Sequence, residues 1–391
     1  MNRSLDWIAD SLKALEQANL RRFRTIRQGA QQASIEFQAD QTTAPLINFA
    51  SNDYLGIAAD QRLVSAVQEQ ILREGWGSGA SPLITGRSQW HAELERRLAE
   101  FESSEDAILF STGYAANVGA ISALVGSGDT IFSDAKNHAS IIDGCRLSRA
   151  NVQVYRHNDV AHLAELLAAG QGGGRRLVVT DSLFSMDGDM APLAEIAELA
   201  EQSNSMLLVD EAHATGVFGS NGTGLCEVHG IHSSNMIRIG TLSKAFGSCG
   251  GFASGSLALV EWLYNRARSY VFSTAMPAVT CVASLAALEI VQGEPQRRQR
   301  LVENATYLRE RLQSDGWNTG HSASQIVPIF LGEPERAVAL AAKLREAGCL
   351  VPAIRPPSVP EGESLLRISL TSEHTRSQLD QLIETLKAMR R

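Results

Sequence analysis

Lysine is scarce in this chain. Five occur in 391 residues, at Lys13, Lys136, Lys244, Lys343 and Lys387, and none follows a glycine. A phosphate loop of the type Gly-x-x-x-x-Gly-Lys-Ser/Thr is therefore excluded. That removes the ATP-driven reading of Asp210-Glu211-Ala212-His213, which spells a helicase box. Positive charge is short overall: the formal net charge is -8, the pI is near 5.7, and the arginines are scattered. Binding to a nucleic-acid backbone needs a basic stripe, so no nucleic-acid partner is expected. Cysteine is also sparse. Five residues (Cys145, Cys226, Cys249, Cys281, Cys349) form no CxxC pair, which argues against zinc or any structural metal site. The odd count fits a reduced compartment without a disulfide framework. No apolar run is long enough to cross a bilayer: "AVTCVASLAALEIV" (278–291) is too short, contains Glu289, and reads as a buried helix. The first residues, "MNRSLDWIADSLKALEQANLRRF", carry charges where a signal peptide needs an apolar centre. A cytoplasmic protein with no membrane partner is expected.

What is present is an ordinary globular composition, 44% hydrophobic and 20% charged, with room for about two or three domains. Leu5, Ile8, Leu12 and Leu15 recur at helical spacing, so residues 5–23 predict an amphipathic helix packed on a larger body. From about residue 51 to 285, short apolar runs alternate with helical patterns. "DAILFST" precedes "GYAANVGAISALV", "RRLVVTD" precedes "APLAEIAELAEQSN", and "SMLLVDEAH" and "NMIRIGTLSKAF" follow. Such alternation predicts an α/β domain, a mainly parallel sheet covered by helices. The Gly-rich "GQGGGRR" (170–176) reads as a surface loop. From residue 286 the order becomes helix, strand, helix, strand, helix, a smaller α+β unit. The expected division is thus 1–50 as an N-terminal helix and arm, 51–285 as the large domain, and 286–391 as the small domain.

Polar residues cluster where the strands of the large domain end, the usual ligand side of an open α/β sheet. Ser111-Thr112-Gly113-Tyr114 ends one strand and opens a helix, whose free amides can bind an anion. Ser185 follows another strand, Asp210 and His213 the next, and Thr241, Ser243 and Lys244 the one after. A lysine amine can form a Schiff base, a carboxylate can keep a pyridine nitrogen protonated, and a helix start can hold a phosphate. Together they suggest pyridoxal 5'-phosphate (PLP).

Six ordered motifs carry a resemblance. "SNDYLG" (51–56), "STGYAAN" (111–117), "NHASIIDG" (137–144), "SLFSMDGDMAPL" (182–193), "VDEAHATGVFG" (209–219) and "TLSKAFGSCGG" (241–251) resemble the α-oxoamine synthases, from about residue 20 to the C-terminus. These are PLP enzymes of fold type I, aspartate aminotransferase-like, with a mainly parallel seven-stranded large-domain sheet. They condense an amino acid with an acyl thioester and lose carbon dioxide. The resemblance implies that Lys244 is the Schiff-base lysine, Asp210 the pyridine-nitrogen partner and His213 the donor to the cofactor's phenolic oxygen. His138 would stack on the ring, Gly113 and Tyr114 would line the cofactor edge, and Ser185 and Thr241 would donate hydrogen bonds. Ser273-Thr274 would reach the phosphate held by a neighbouring subunit, implying a homodimer. Asn52 would contact substrate and Arg367 would grip the amino-acid carboxylate, a bidentate task suited to guanidinium. Arg21 matches an arginine assigned to the acyl substrate. "AIRPPSVP" (353–360) most resembles the branch that serves biotin synthesis, with Ser358 where threonine is usual. That branch implies L-alanine and a pimeloyl thioester, on CoA or on acyl carrier protein, as substrates. The alternatives are a sibling such as a glycine C-acetyltransferase and, more distantly, an aminotransferase of the same fold. The chain departs from the family at Pro82, in the 77–95 loop, where a polar or basic residue is common.

Overall fold

The structure, a computed structural model, describes residues 4–39, 42–169 and 173–390. Residues 170–172 of the Gly-rich stretch lie outside the described residues.

Seven apolar runs form one sheet: β1 (Asp106–Phe110), β2 (Thr130–Asp134), β3 (Asn151–Tyr155), β4 (Arg176–Asp181), β5 (Met206–Asp210), β6 (Met236–Thr241) and β7 (Gly251–Gly255). Their order is β1-β7-β6-β5-β4-β2-β3. Neighbours from β6 to β3 are parallel, and β7 alone runs antiparallel, between β1 and β6. The fold is the α/β architecture expected. Register decides what meets at one edge: Asp181 pairs with Asp210, Asp210 with Ile239, Thr241 with Gly251, and Gly251 with Phe110. The carboxyl ends of the parallel strands therefore line up beside the first residue of β7.

The central strands are apolar on both faces because helices cover both. Ile108, Leu177, Val179, Leu208, Ile237 and Ile239 join Ala116, Ala120 and Ile121 of the helix Gly113–Leu124 in one cluster. Each such aliphatic side chain contributes roughly 1.5–3 kcal/mol when fully buried. Two glycines let that helix approach the sheet end. A Cβ on Gly251 would lie 2.5 Å from the Gly113 nitrogen, and one on Gly113 would already touch Thr241 at 3.4 Å.

The chain divides into two compact units, residues 1–54 with 186–188 and 300–391, and residues 55–185 with 189–299. The sequence places the cuts at 50/51 and 285/286 and keeps the N-terminal arm separate. Tyr54 stays with the first unit because its carbonyl accepts the Ser372 amide at 2.8 Å. The helix Ala278–Gly293 stays with the second because it packs on Gln61–Glu74. The arm joins the C-terminal residues because Thr42–Asn48 pairs in parallel with Cys349–Leu350, after two antiparallel partners, Ile26–Gln28 and Ser34–Ala39. A three-stranded sheet, Ile326–Gly332, Ser364–Ser369 and Ala353–Ile354, completes this α+β unit with the helices Pro334–Glu346 and Arg376–Arg390.

The N-terminal helix is shorter than the spacing predicts, Asp6–Gln17, and buries none of its residues. Its apolar stripe is exposed, with Leu5 at 68% and Trp7 at 64%. Among the described residues the expected packing on a larger body is not made. Among the described residues no helix is long and apolar enough to cross a membrane.

Candidate active site

Asp210 ends β5 and is buried. One carboxylate oxygen accepts the Ala212 amide at 2.8 Å and the other accepts the Asn117 side-chain amide at 2.6 Å. The same Asn117 nitrogen lies 2.9 Å from Ser140 Oγ, which lies 2.7 Å from His138 Nδ1. A polar chain thus runs Asp210–Asn117–Ser140–His138, from one strand end across the helix Gly113–Leu124 to the start of the helix Ala139–Ser148. Asn117 is four residues after Gly113, so both lie on one side of the helix that opens at the site. The His138 amide donates to Asp181 at 2.7 Å. Asp181 and Asp210 stand side by side in register. Burial and then the Asp210 charge push the Asp181 carboxyl well above the usual range, with Lys244 and the His138 amide opposing. Desolvation pulls the His138 imidazole below its ordinary value, Asp210 resists, and Lys244 adds to the fall. These effects require His138, Asp181, Asp210 and Lys244 to share one electrostatic neighbourhood.

Lys244 is half-buried in the turn after β6. The turn closes on itself: the Leu242 amide reaches the Gly250 carbonyl at 3.0 Å, and the Gly247 amide reaches the Lys244 carbonyl at 2.9 Å. Gly247 has φ 61, and a Cβ there would lie 2.3 Å from the Ala58 nitrogen, so the turn needs glycine. Thr241 is buried, with Oγ1 3.0 Å from the Gly250 carbonyl and 2.7 Å from Ser243 Oγ. His213 is buried in the turn three residues beyond Asp210. Glu211 of the same box is structural: it accepts Ser182 Oγ at 2.7 Å and the Leu225 and Cys226 amides at 3.0 and 2.6 Å.

Thr112 caps the helix Gly113–Leu124, accepting the Ala115 amide at 3.0 Å, and leaves Gly113 and Tyr114 at an open helix start. Tyr114 is exposed, and its hydroxyl donates to Asp143. Ser185 is half-buried in a hairpin closed by a Leu183–Met190 bridge. Ser273 and Thr274 line a cavity of about 20 Å³, room for one water, together with Ser111, Pro82 and His91. Their segment is tied down by the Ala275 amide on the Ala80 carbonyl at 2.9 Å and by Ser78 Oγ on the Met276 carbonyl at 2.7 Å.

The remaining candidates belong to the first unit. Arg367, buried on Ser364–Ser369, donates to Asn52 Oδ1 at 3.1 Å, and the Tyr54 hydroxyl donates to the same oxygen at 3.2 Å. Burial pushes the Tyr54 phenol up, and Arg367 partly offsets it. Asn52 and Tyr54 thus orient the guanidinium. Arg21 lies 2.5 Å from Glu16, and it is Arg22 that reaches Ser358 Oγ, at 3.3 Å. Sequence reasoning passed over Asn117, Ser140, Asp181, Tyr54 and Arg22. Asn117, Ser140 and Tyr54 lie inside quoted motifs, but their buried hydrogen bonds leave no periodic signal.

The donor set fits PLP. A buried carboxylate, an imidazole, an amine and an open helix start meet at one sheet edge, where glycines at 113 and 251 let the helix start come close to the strand end. The family profile of aminotransferase class I and II matches residues 44–386. The chain is 47% identical over 386 residues to the 8-amino-7-oxononanoate synthase of Anaeromyxobacter dehalogenans, covering 99% of this chain and 96% of that protein. It is 46% identical to the enzyme of that name from Lysinibacillus sphaericus, covering 87% of each. Among solved structures, Sphingomonas wittichii serine palmitoyltransferase superposes with a TM-score of 0.92 at 32% identity, covering 99% of this chain and 98% of that one. A serine palmitoyltransferase from S. paucimobilis, solved with a bound PLP–myriocin aldimine, gives 0.92 at 31%, covering 98% and 96%. The 8-amino-7-oxononanoate synthase of Francisella tularensis gives 0.77 at 31%, covering 88% and 97%.

Proposed function

Because this chain belongs to the class I and II aminotransferase family, and within it to the PLP-dependent α-oxoamine synthases, we propose that it condenses L-alanine with a pimeloyl thioester. The products are 8-amino-7-oxononanoate, carbon dioxide and the free thiol of the carrier, CoA or acyl carrier protein. The observation that carries this reading is the Asp210–Asn117–Ser140–His138 chain beside Lys244. The relatives named for this reaction supply the substrates.

When bound, PLP supplies the electron sink for a carbanion at the amino-acid α-carbon. Asp210 would hold the pyridine nitrogen, with Asn117 and the Ala212 amide fixing the carboxylate oxygens. His138 would lie against the ring, and His213, Ser185 and Thr241 would donate to the cofactor's oxygens. Gly113 and Tyr114 would line its edge, and the helix start would favour the phosphate. Lys244 would supply the amine that binds the cofactor, and the same amine would take the α-proton of alanine and later return a proton to the product carbon. Arg367, aimed by Asn52 and Tyr54, holds the alanine carboxylate until it leaves as carbon dioxide. The new carbon–carbon bond forms at the thioester carbonyl, and the thiol departs. Arg21 remains a candidate for the acyl chain, and Arg22 joins it through Ser358. The active unit is a homodimer to which Ser273 and Thr274 contribute across the interface, working in the cytoplasm.

The test is turnover of purified protein with alanine, glycine and serine against pimeloyl-, acetyl- and succinyl-CoA. Alanine with the pimeloyl donor is expected to be best. One methyl in a small pocket is worth about 1–3 kcal/mol, so glycine should lag by roughly tens-fold to a few hundred-fold. Faster turnover with glycine and acetyl-CoA would move the chain to the glycine C-acetyltransferase branch.

A further inference from the structure

Two of the loops assigned to the cofactor meet on a residue outside every motif quoted above. His157 follows β3, with Nδ1 2.8 Å from an Asp134 oxygen and Nε2 2.8 Å from an Asp189 oxygen. Asp134 ends β2 and shapes the loop that carries His138, its carboxylate accepting the Lys136 amide at 2.8 Å. Asp189 closes the hairpin that carries Ser185, its carbonyl accepting the Phe184 amide at 3.0 Å. The imidazole also stands edge-on to Phe184 of that hairpin, with ring centroids 4.4 Å apart at 89°. Asn158 repeats the link: its amide reaches Asp134 at 2.9 Å, and its side chain reaches Asp189 at 3.0 Å and the Met190 carbonyl at 3.2 Å. A neutral imidazole has one N–H and can donate to only one carboxylate. Two carboxylates at 2.8 Å therefore call for both ring nitrogens as donors, the cationic form.

We propose that His157 is a positioning residue whose bridge between Asp134 and Asp189 sets the spacing of the His138 loop and the Ser185 hairpin, and so governs how tightly the protein retains its cofactor. The inference rests on the reading that these two loops hold PLP. Burial opposes a charge on His157, but its hydrogen bonds to Asp134 and Asp189 outweigh it and raise the imidazole to about 9. The bridge is therefore charged at neutral pH.

The experiment titrates PLP into the apo forms of wild type, His157→Gln and Asp189→Asn, following fluorescence quenching and, separately, the melting temperature of each apo protein. His157→Gln keeps a donor for one carboxylate only, and Asp189→Asn keeps the size while removing one charge. Leu382→Ala, a core truncation in the first unit, serves as a destabilised control. Both site variants should bind PLP about tenfold or more weakly, while Leu382→Ala keeps wild-type affinity despite a comparable fall in melting temperature. At saturating PLP, His157→Gln should show a lowered kcat with a near-normal KM for the acyl donor. Equal PLP affinity in wild type and His157→Gln overturns the assignment, as does a loss that merely tracks melting temperature across all variants. Wild-type protein that takes up no PLP sinks the functional reading itself, and this inference with it.

Discussion

Asp210 shows how a single buried carboxylate is made useful. Its oxygens already accept one backbone amide and one side-chain amide, so its orientation is fixed before any ligand arrives. Asp210→Asn should leave folding largely intact and slow α-proton loss on the order of 100-fold or more, the scale of removing one preorganised electrostatic group. Near-normal turnover in that variant would argue against its role. Asn117→Ala removes only the aiming group. A hydrogen bond to a charged group is worth about 1.5–3 kcal/mol, so kcat/KM should fall roughly tenfold to a hundredfold, with Asp210 still present. Lys244→Ala should abolish the borohydride-trapped cofactor adduct, read by mass spectrometry of the peptides. An adduct on any of the other lysines would transfer the role. The sequence exposes Asp210, His213 and Lys244 because each ends an apolar run. Asn117, Ser140 and Tyr54 stay hidden, because their importance lies in which distant atoms they reach.

At the scale of elements, the seven strands of the large sheet are legible because each is a short apolar run bounded by turn residues. The register that lines up Asp181, Asp210 and Thr241 is not, since it depends on pairing between segments tens of residues apart. The arm strands from Ile26 to Asn48 escape for the same reason. They are short, mix polar with apolar residues, and find their fourth partner only at Cys349–Leu350. The loops at the strand ends carry a pH dependence that the periodic pattern cannot show. His157 is raised from 6.5 to about 9 in the folded protein. A group whose folded pKa is raised stabilises fully below its unfolded value and loses that contribution as pH rises through the folded one. The window is thus pH 6.5 to about 9, and the contribution is at most roughly 3 kcal/mol. Wild type should lose melting temperature across that window more steeply than His157→Gln. Parallel curves would show that the bridge carries no charge.

At the scale of the whole molecule, each unit presents apolar surface that a lone chain leaves wet. In the first unit it is the stripe of the helix Asp6–Gln17, led by Leu5 and Trp7. In the second unit Ile84 is 77% and Phe272 71% exposed. Their segments are tied together where the Ala275 amide bonds the Ala80 carbonyl. Thr274, assigned above to a neighbouring subunit's phosphate, is exposed two residues from Phe272. Single exposed apolar residues are common, but two large ones beside a segment proposed to bind ligand are what an association surface would present. A dimer joined there would couple activity to assembly, because each site would lack a phosphate contact without its partner. Sedimentation velocity at micromolar concentration should therefore give a dimer. Replacing Ile84 and Phe272 together by serine should shift it toward monomer, and specific activity of that variant should fall on dilution while the wild type holds. A wild-type monomer with full, dilution-independent activity would place Ser273 and Thr274 outside the site altogether.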